Sequence, residues 1–386
     1  MLKMIVIRLA AIVTIALSIG ALNNPPALAL QEESRSVQLP RPSGPYSVGV
    51  ATWHWIDASR AQDSAVPAEG NREIMVQLWY PAQVSETEPT PYRPISQGRF
   101  KFVTQNSVAG APFSDQVRSA PVIVLCPGRG TSMHYYSAIA EGLASRGFAV
   151  LAVDSPGVGY VEYPDGRIVN PDEAYQPSFE LITGPYDRVD SFFEPAVKLG
   201  LEDIRFAVNQ LRAIARSDPA GRLTGRLSFE KMGAFGHSLG GRICGAYAGT
   251  NNNVVAFASM EGVAPPAERR GGLKAASLML YSSELPEEMA LPNIREIFDY
   301  RRAPSAIIRL EGFGHNSVTD RPLLFPESFS YPIDPTTALS VFDALLGEFY
   351  EARFAGRSFP NPHVQLPRTV TIIEASEDQA EPSQAG

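Results

Sequence analysis

The pentapeptide Gly236-His237-Ser238-Leu239-Gly240 constrains the fold of this chain more than any other stretch, because it lies between an apolar run at residues 231–235 and a small-residue segment that starts at Leu239. A G-x-S-x-G sequence between a strand and a helix marks a sharp turn that holds the serine in a strained backbone conformation. The glycines two positions before and after it leave room for the chain to pass. Such a turn pushes the hydroxyl into a cleft beyond the carboxyl edge of a sheet, at a helix N-terminus where a developing oxyanion is stabilised. The bland alternative is a serine in a glycine-rich turn, and the flanking strand and helix patterns argue against it.

The rest of the chain supplies the sheet that such a turn requires. The apolar run 121–126 ends in Pro127-Gly128-Arg129-Gly130, a helical pattern follows through Tyr136, Ile139, Ala140 and Leu143, and a second buried run occupies 148–153 after Gly147. Strand, helix and strand with short joints form a βαβ unit, which implies a parallel sheet covered on both faces. The rhythm recurs with a helix at 201–214, a helix from Leu239, strands at 254–260, 278–281 and 306–310, and a helix at 335–350. Two earlier strands are expected at 48–51 and 74–80, the second ending at Pro81. The fold class is therefore α/β, a mostly parallel central sheet with helices on both faces. One catalytic domain over 46–356 accounts for the length. Residues 30–45 read as an extended lead-in and the Pro- and Tyr-rich stretch 155–195 as a lid-like insertion. Residues 357–386 read as a C-terminal extension, with 369–386 a disordered tail.

At the start, Lys3 and Arg8 precede an apolar run at 9–22 and the triplet Ala27-Leu28-Ala29, the order of an export signal cleaved after Ala29. Residues 1–29 thus imply a secreted or periplasmic protein without stable membrane insertion after cleavage. A retained anchor is the alternative, since 4–22 is about long enough to span a bilayer. The net charge of −8, with no block of Lys or Arg, argues against nucleic acid and anionic membrane surfaces as partners and is compatible with a neutral or cationic small molecule. Cys126 and Cys244 are the only cysteines, enough for one disulfide or two buried thiols but not for a structural zinc site.

A serine hydroxyl needs an imidazole to take its proton. The chain order nucleophile, acid, histidine leaves His315 and His363 as candidates downstream of Ser238. His363 stands among prolines, whereas His315 lies in Gly312-Phe313-Gly314-His315-Asn316, a loop directly after a strand, and is the expected base. His54, His134 and His237 precede the nucleophile and read as packed or surface residues. The acid that orients the imidazole must end a strand near His315, and two residues qualify: Glu261 after strand 254–260, and Glu284, with Glu287 close behind, after strand 278–281.

Several stretches carry a resemblance. Residues 121–154 with Tyr136-Ser137-Ala138-Ile139 and Leu143-Ala144-Ser145-Arg146-Gly147-Phe148, the upstream Val76-Gln77-Leu78-Trp79-Tyr80-Pro81, 236–241 and 315–320 resemble the platelet-activating factor acetylhydrolase and bacterial esterase group of α/β-hydrolases. The likeness runs from Tyr46 to about Phe354 and is weakest over 155–195. It implies the α/β-hydrolase fold and a secreted serine carboxylic-ester hydrolase that needs no metal or organic cofactor and takes a small-molecule ester, with short-chain esters favoured. It places the acid on Glu261 and the oxyanion-binding backbone N–H groups on Arg129 and Leu239. The chain departs from the pattern at Cys126-Pro127-Gly128, where such enzymes usually carry a histidine before the glycine, and at Glu261, which replaces the usual aspartate. Tyr160, Tyr163, Tyr175, Phe179 and Tyr186 would either line an acyl pocket or pack the insertion against itself. Two rival readings are a catalytically silent fold, which predicts loss of a triad member, and a secreted peptidase, which often carries an extra cap or propeller domain.

Overall fold

Strand β4 (Ala120–Cys126) shows why an uninterrupted apolar run makes a central strand: Ile123 and Leu125 enter one core layer while Val122, Val124 and Cys126 enter the other. A strand buried on both faces has no polar side to alternate with. The computed structural model describes residues 36–62, 70–84, 102–182, 185–360 and 367–376. The expected export signal at 1–29 lies outside the described residues.

Among the described residues, ten strands form one sheet. They are β1 (Ser47–Ala61), β2 (Asn71–Ala82), β3 (Val108–Ala109), β4, β5 (Ala149–Asp154), β6 (Leu227–His237), β7 (Val254–Met260), β8 (Ala276–Ser282), β9 (Ser305–Leu310) and β10 (Val370–Ala375). The spatial order is β10-β9-β8-β7-β6-β4-β5-β2-β1-β3. The six strands β4 to β9 are parallel, and β2 and β10 join that block antiparallel on either side. Helices α1 (Ser137–Ser145) and α5 (Pro335–Phe354) pack together on one face. The other face carries α2 (Tyr186–Arg216), α3 (Leu239–Thr250) and α4 (Glu287–Asp299). A parallel sheet with helices on both faces is the architecture read from the sequence.

Two expectations are corrected. Residues 186–195 are not irregular: α2 begins at Tyr186, not near 201, and runs through Pro195. The buried stripe Val189, Asp190, Ala196, Val197, Gly200 and Ile204 has helical spacing, disguised in the sequence by the proline and by a buried aspartate. Asp190 is tolerated there because it accepts hydrogen bonds from Arg242 Nη1 (2.5 Å) and Arg269 Nη2 (2.8 Å). The rest of the insertion holds a small hairpin, Val161–Glu162 with Ile168–Val169, and two single turns, Glu173–Tyr175 and Phe179–Ile182. The tail expected to be disordered from residue 369 instead forms β10 over Val370–Ala375, antiparallel to β9. Its β-branched residues Val370, Thr371, Ile372 and Ile373 suit a strand, and the ladder satisfies the outer edge of β9. Residues 377–386 lie outside the described part.

Candidate active site

Strand β6 delivers Ser238 at the amino end of α3 with φ 55° and ψ −122°, a left-handed conformation that non-glycine residues rarely adopt. Tight packing on either side holds it: a Cβ at position 236 would collide with the Gly240 carbonyl, and one at 240 with the Cys126 carbonyl. The Ser238 amide donates to Met260 O (2.9 Å), which ties the turn to the end of β7. The residue is half-buried.

One strand over, Glu261 follows β7 with φ 53°, its amide donating to Leu280 O at 2.9 Å. Its Oε1 accepts from the Ser282 amide (2.8 Å) and hydroxyl (2.5 Å), and its Oε2 lies 2.5 Å from His315 Nδ1. The glutamate side chain is only 5% exposed and that of His315 19%. Burial pushes the Glu261 carboxyl up, but the hydrogen bonds and charge of His315 and the Ser282 donors outweigh it and hold the group below the usual glutamate range. For His315 burial pushes down, while the hydrogen bond and charge of Glu261, with Glu284 adding, raise it above the ordinary imidazole value. The second candidate acid serves differently. Glu284 Oε2 accepts from the backbone amide of His315 at 2.7 Å and so holds the loop, not the ring. Burial first, then the charge of Glu261, push the Glu284 carboxyl up.

The histidine loop is anchored at its other end by Asp320, whose carboxylate accepts from the amides of Ser137 (3.0 Å) and Ala138 (3.3 Å) and caps α1. No motif rule pointed to this carboxylate, although it stands only five residues beyond His315.

The loop after β4 carries Arg129. On either side of it, Gly128 N donates to Tyr136 Oη (2.9 Å) and Gly130 N to Val158 O (3.2 Å), whereas no hydrogen bond among the described residues uses the amides of Arg129 or Leu239. The Arg129 guanidinium reaches Asp172 O at 3.4 Å, and Tyr160 N donates to Thr131 O at 3.0 Å, so the insertion lies directly on this loop. Of the insertion's aromatics, Tyr163 is fully buried in the core, and Tyr175 and Tyr186 pack against the opposite layer. The Phe179 side chain is outside the described part. Cys126 and Cys244 meet beneath the serine turn as free, buried thiols with Sγ atoms 2.7 Å apart.

Among the other histidines, His54 Nε2 pairs with Glu73 Oε2 at 2.8 Å, His134 and His237 are buried, and His363 lies outside the described residues. Ser238 makes no hydrogen bond to His315 among the described residues; its neighbour His237 packs its ring 4.6 Å from that of His315. Catalytic hydrogen bonds are often long before substrate binds. Among the described residues no three His, Cys, Asp or Glu side chains group as metal ligands, and no helix is long and apolar enough to cross a membrane.

A family model described as the alpha/beta hydrolase fold matches residues 121–379, more than half of the 386. The chain belongs to the α/β-hydrolase fold family. A second model, platelet-activating factor acetylhydrolase isoform II, matches residues 31–156 of this α/β-hydrolase. A probable 1-alkyl-2-acetylglycerophosphocholine esterase of Arthroderma benhamiae is 25% identical over 240 residues, covering 53% of this chain and 54% of that relative, so the match spans about half the relative's length. Among solved structures, a ferulic acid esterase from Streptomyces cinnamoneus superposes with a TM-score of 0.71 at 26% identity, covering 88% of the α/β-hydrolase described here and 100% of its own chain.

Proposed function

We propose that this α/β-hydrolase cleaves carboxylic esters through Ser238, His315 and Glu261 by way of an acyl-enzyme, and that it acts outside the cytoplasm after removal of residues 1–29. The observation that carries the reading is the contact of His315 Nδ1 with Glu261 Oε2, which orients the imidazole so that Nε2 is left for the serine proton. In the first half-reaction His315 Nε2 takes the proton of Ser238 as Oγ attacks the ester carbonyl, and the imidazolium so formed is stabilised by Glu261. The amides of Arg129 and Leu239 donate to the oxyanion. His315 then returns the proton to the departing alkoxide, and the same cycle with water releases the acid and frees Ser238.

Short-chain esters are the favoured substrates. The two esterases described above support an ester bond as the target, and the insertion commits Tyr163, Tyr175 and Tyr186 to packing against the two core layers, which supports a short acyl site over a long aromatic-lined channel. Hydrolysis of p-nitrophenyl esters from acetate to palmitate tests this. Acetate and butyrate are expected to turn over fastest, and Ser238→Ala is expected to lower kcat by about 10⁶-fold. A wild-type enzyme that cleaves none of the series overturns the reading in favour of a silent ligand-binding fold.

A further inference from the structure

The loop that carries Arg129 is joined to the nucleophile turn through one buried hydroxyl. Tyr136 is fully buried, and its Oη accepts from Gly128 N (2.9 Å), lies 2.8 Å from His237 Nδ1 and 3.1 Å from Thr131 Oγ1. Thr131 donates its own proton to Gly128 O at 2.8 Å. Both backbone polar groups of Gly128 are therefore held by side chains, one of which also holds the residue immediately before Ser238. The separation is tight, since a Cβ on Gly128 would stand 3.0 Å from His237 Nδ1.

His237 is only 1% exposed, and its Nε2 is buried without a hydrogen-bond partner among the described residues. Burial first, then the charge of His315, push His237 well below the ordinary imidazole range, so it stays neutral beside the ring it touches. A neutral imidazole offers one donor and one acceptor. If Nδ1 is bare, Tyr136 donates to it; if Nδ1 carries the proton, it donates to Tyr136, whose own proton then goes to Thr131. In either arrangement the Tyr136 hydroxyl accepts from Gly128 N and is also bonded to His237, so the one group bridges the two. Phenylalanine at position 136 would strand two buried polar atoms within one residue of Arg129 and of Ser238.

We infer that Tyr136 and His237 are positioning residues that hold the Arg129 amide in register with Ser238, so that the oxyanion meets both donors at once. The inference rests on the ester-hydrolase reading and deepens it. Misplacement of catalytic groups by about 1 Å costs on the order of 10²-fold, and loss of an oxyanion donor about 10²–10³-fold. Tyr136→Phe is accordingly expected to lower kcat per titrated active site by about 10- to 100-fold with KM within about twofold. The affinity of a trifluoromethyl ketone, which places an oxyanion in the same site, should fall by the same factor as kcat/KM. His237→Ala should match it and the double variant should be no worse than either, whereas His237→Asn, whose amide stands near the Nδ1 position, should retain most of the rate. Independently of turnover, the Gly128 amide should lose hydrogen-exchange protection in Tyr136→Phe.

A Tyr136→Phe enzyme with unchanged kcat per active site, or one whose rate loss leaves ketone affinity intact, overturns the positioning role. An unprotected Gly128 amide in the wild type overturns the bridge itself. A wild-type protein inert to every ester and to fluorophosphonate labelling at Ser238 would instead overturn the ester-hydrolase reading, and the positioning role with it.

Discussion

At the scale of single residues, the two glutamates around His315 have separable effects. Glu261→Gln keeps a hydrogen-bonding atom near Nδ1 but removes the charge that stabilises the imidazolium, so kcat for p-nitrophenyl acetate is expected to fall by about 10⁴-fold with little change in KM. Glu284→Gln removes a negative charge that helps to raise His315, so the imidazole becomes easier to deprotonate. The acidic limb of the kcat/KM profile, set by the fraction of neutral His315, should therefore move to lower pH, with only a modest loss of rate; a shift to higher pH would contradict the assignment. The positions of Ser238 and His315 were legible in the sequence because each stands in a local pattern, a turn between strand and helix for one and a glycine-flanked loop after a strand for the other. Which glutamate meets the His315 ring was not legible from the residues alone. Both glutamates follow adjacent parallel strands, and what separates them is that one carboxylate meets a ring and the other an amide. The Tyr136–His237 contact was invisible for a related reason, since its partners are 101 residues apart and belong to different motifs.

At the scale of elements, α1 and the histidine loop share one carboxylate. Asp320→Ala would leave the first amides of α1 without their acceptor and is expected to cost about 1–2 kcal/mol in urea unfolding. The same change removes the carboxylate that ties the histidine loop to α1, leaving the backbone bond from Asp320 N to Tyr135 O (2.7 Å), so it should loosen His315 and lower kcat more than it lowers the folded fraction. Most strands were read in place because the parallel block is buried on both faces and appears as continuous apolar runs. Strands at its margin were harder. β1 reaches Ala61, far past residue 51; half-exposed Trp53, His54 and Trp55 followed by exposed Ile56, buried Asp57 and exposed Ser59 give no alternation by which to read it. Helix α2 was half missed because its buried face includes an aspartate that becomes tolerable only once Arg242 and Arg269 arrive from α3 and from Pro266–Gly271. Residues 370–375 carried strand-forming side chains, but the acidic composition beyond them dominated the reading of the tail.

At the scale of the whole molecule, the antiparallel margin is fastened to the helical layer by a buried ion pair. Arg72 on β2, 1% exposed, donates through Nη2 to Asp203 Oδ2 of α2 at 2.6 Å, and Arg60 of β1 joins through Nη2 to Oδ1 at 2.8 Å. Asp203→Ala leaves the Arg72 guanidinium buried without its counter-charge and should destabilise the protein by about 3–5 kcal/mol, read from chemical denaturation. Replacing Arg72 and Asp203 together with Met and Leu should cost less than Asp203→Ala alone, because no uncompensated charge then remains. The direction of the parallel block has a consequence for where change is tolerated. Arg129, Ser238, Glu261, Glu284 and His315 all leave the sheet at the carboxyl ends of their strands, while the opposite ends are closed by the turns 146–148, 217–226, 251–253, 272–275 and 300–304. A change of length or charge in those five turns therefore touches none of these residues, which puts tolerance to change and the candidate site on opposite rims of the same sheet.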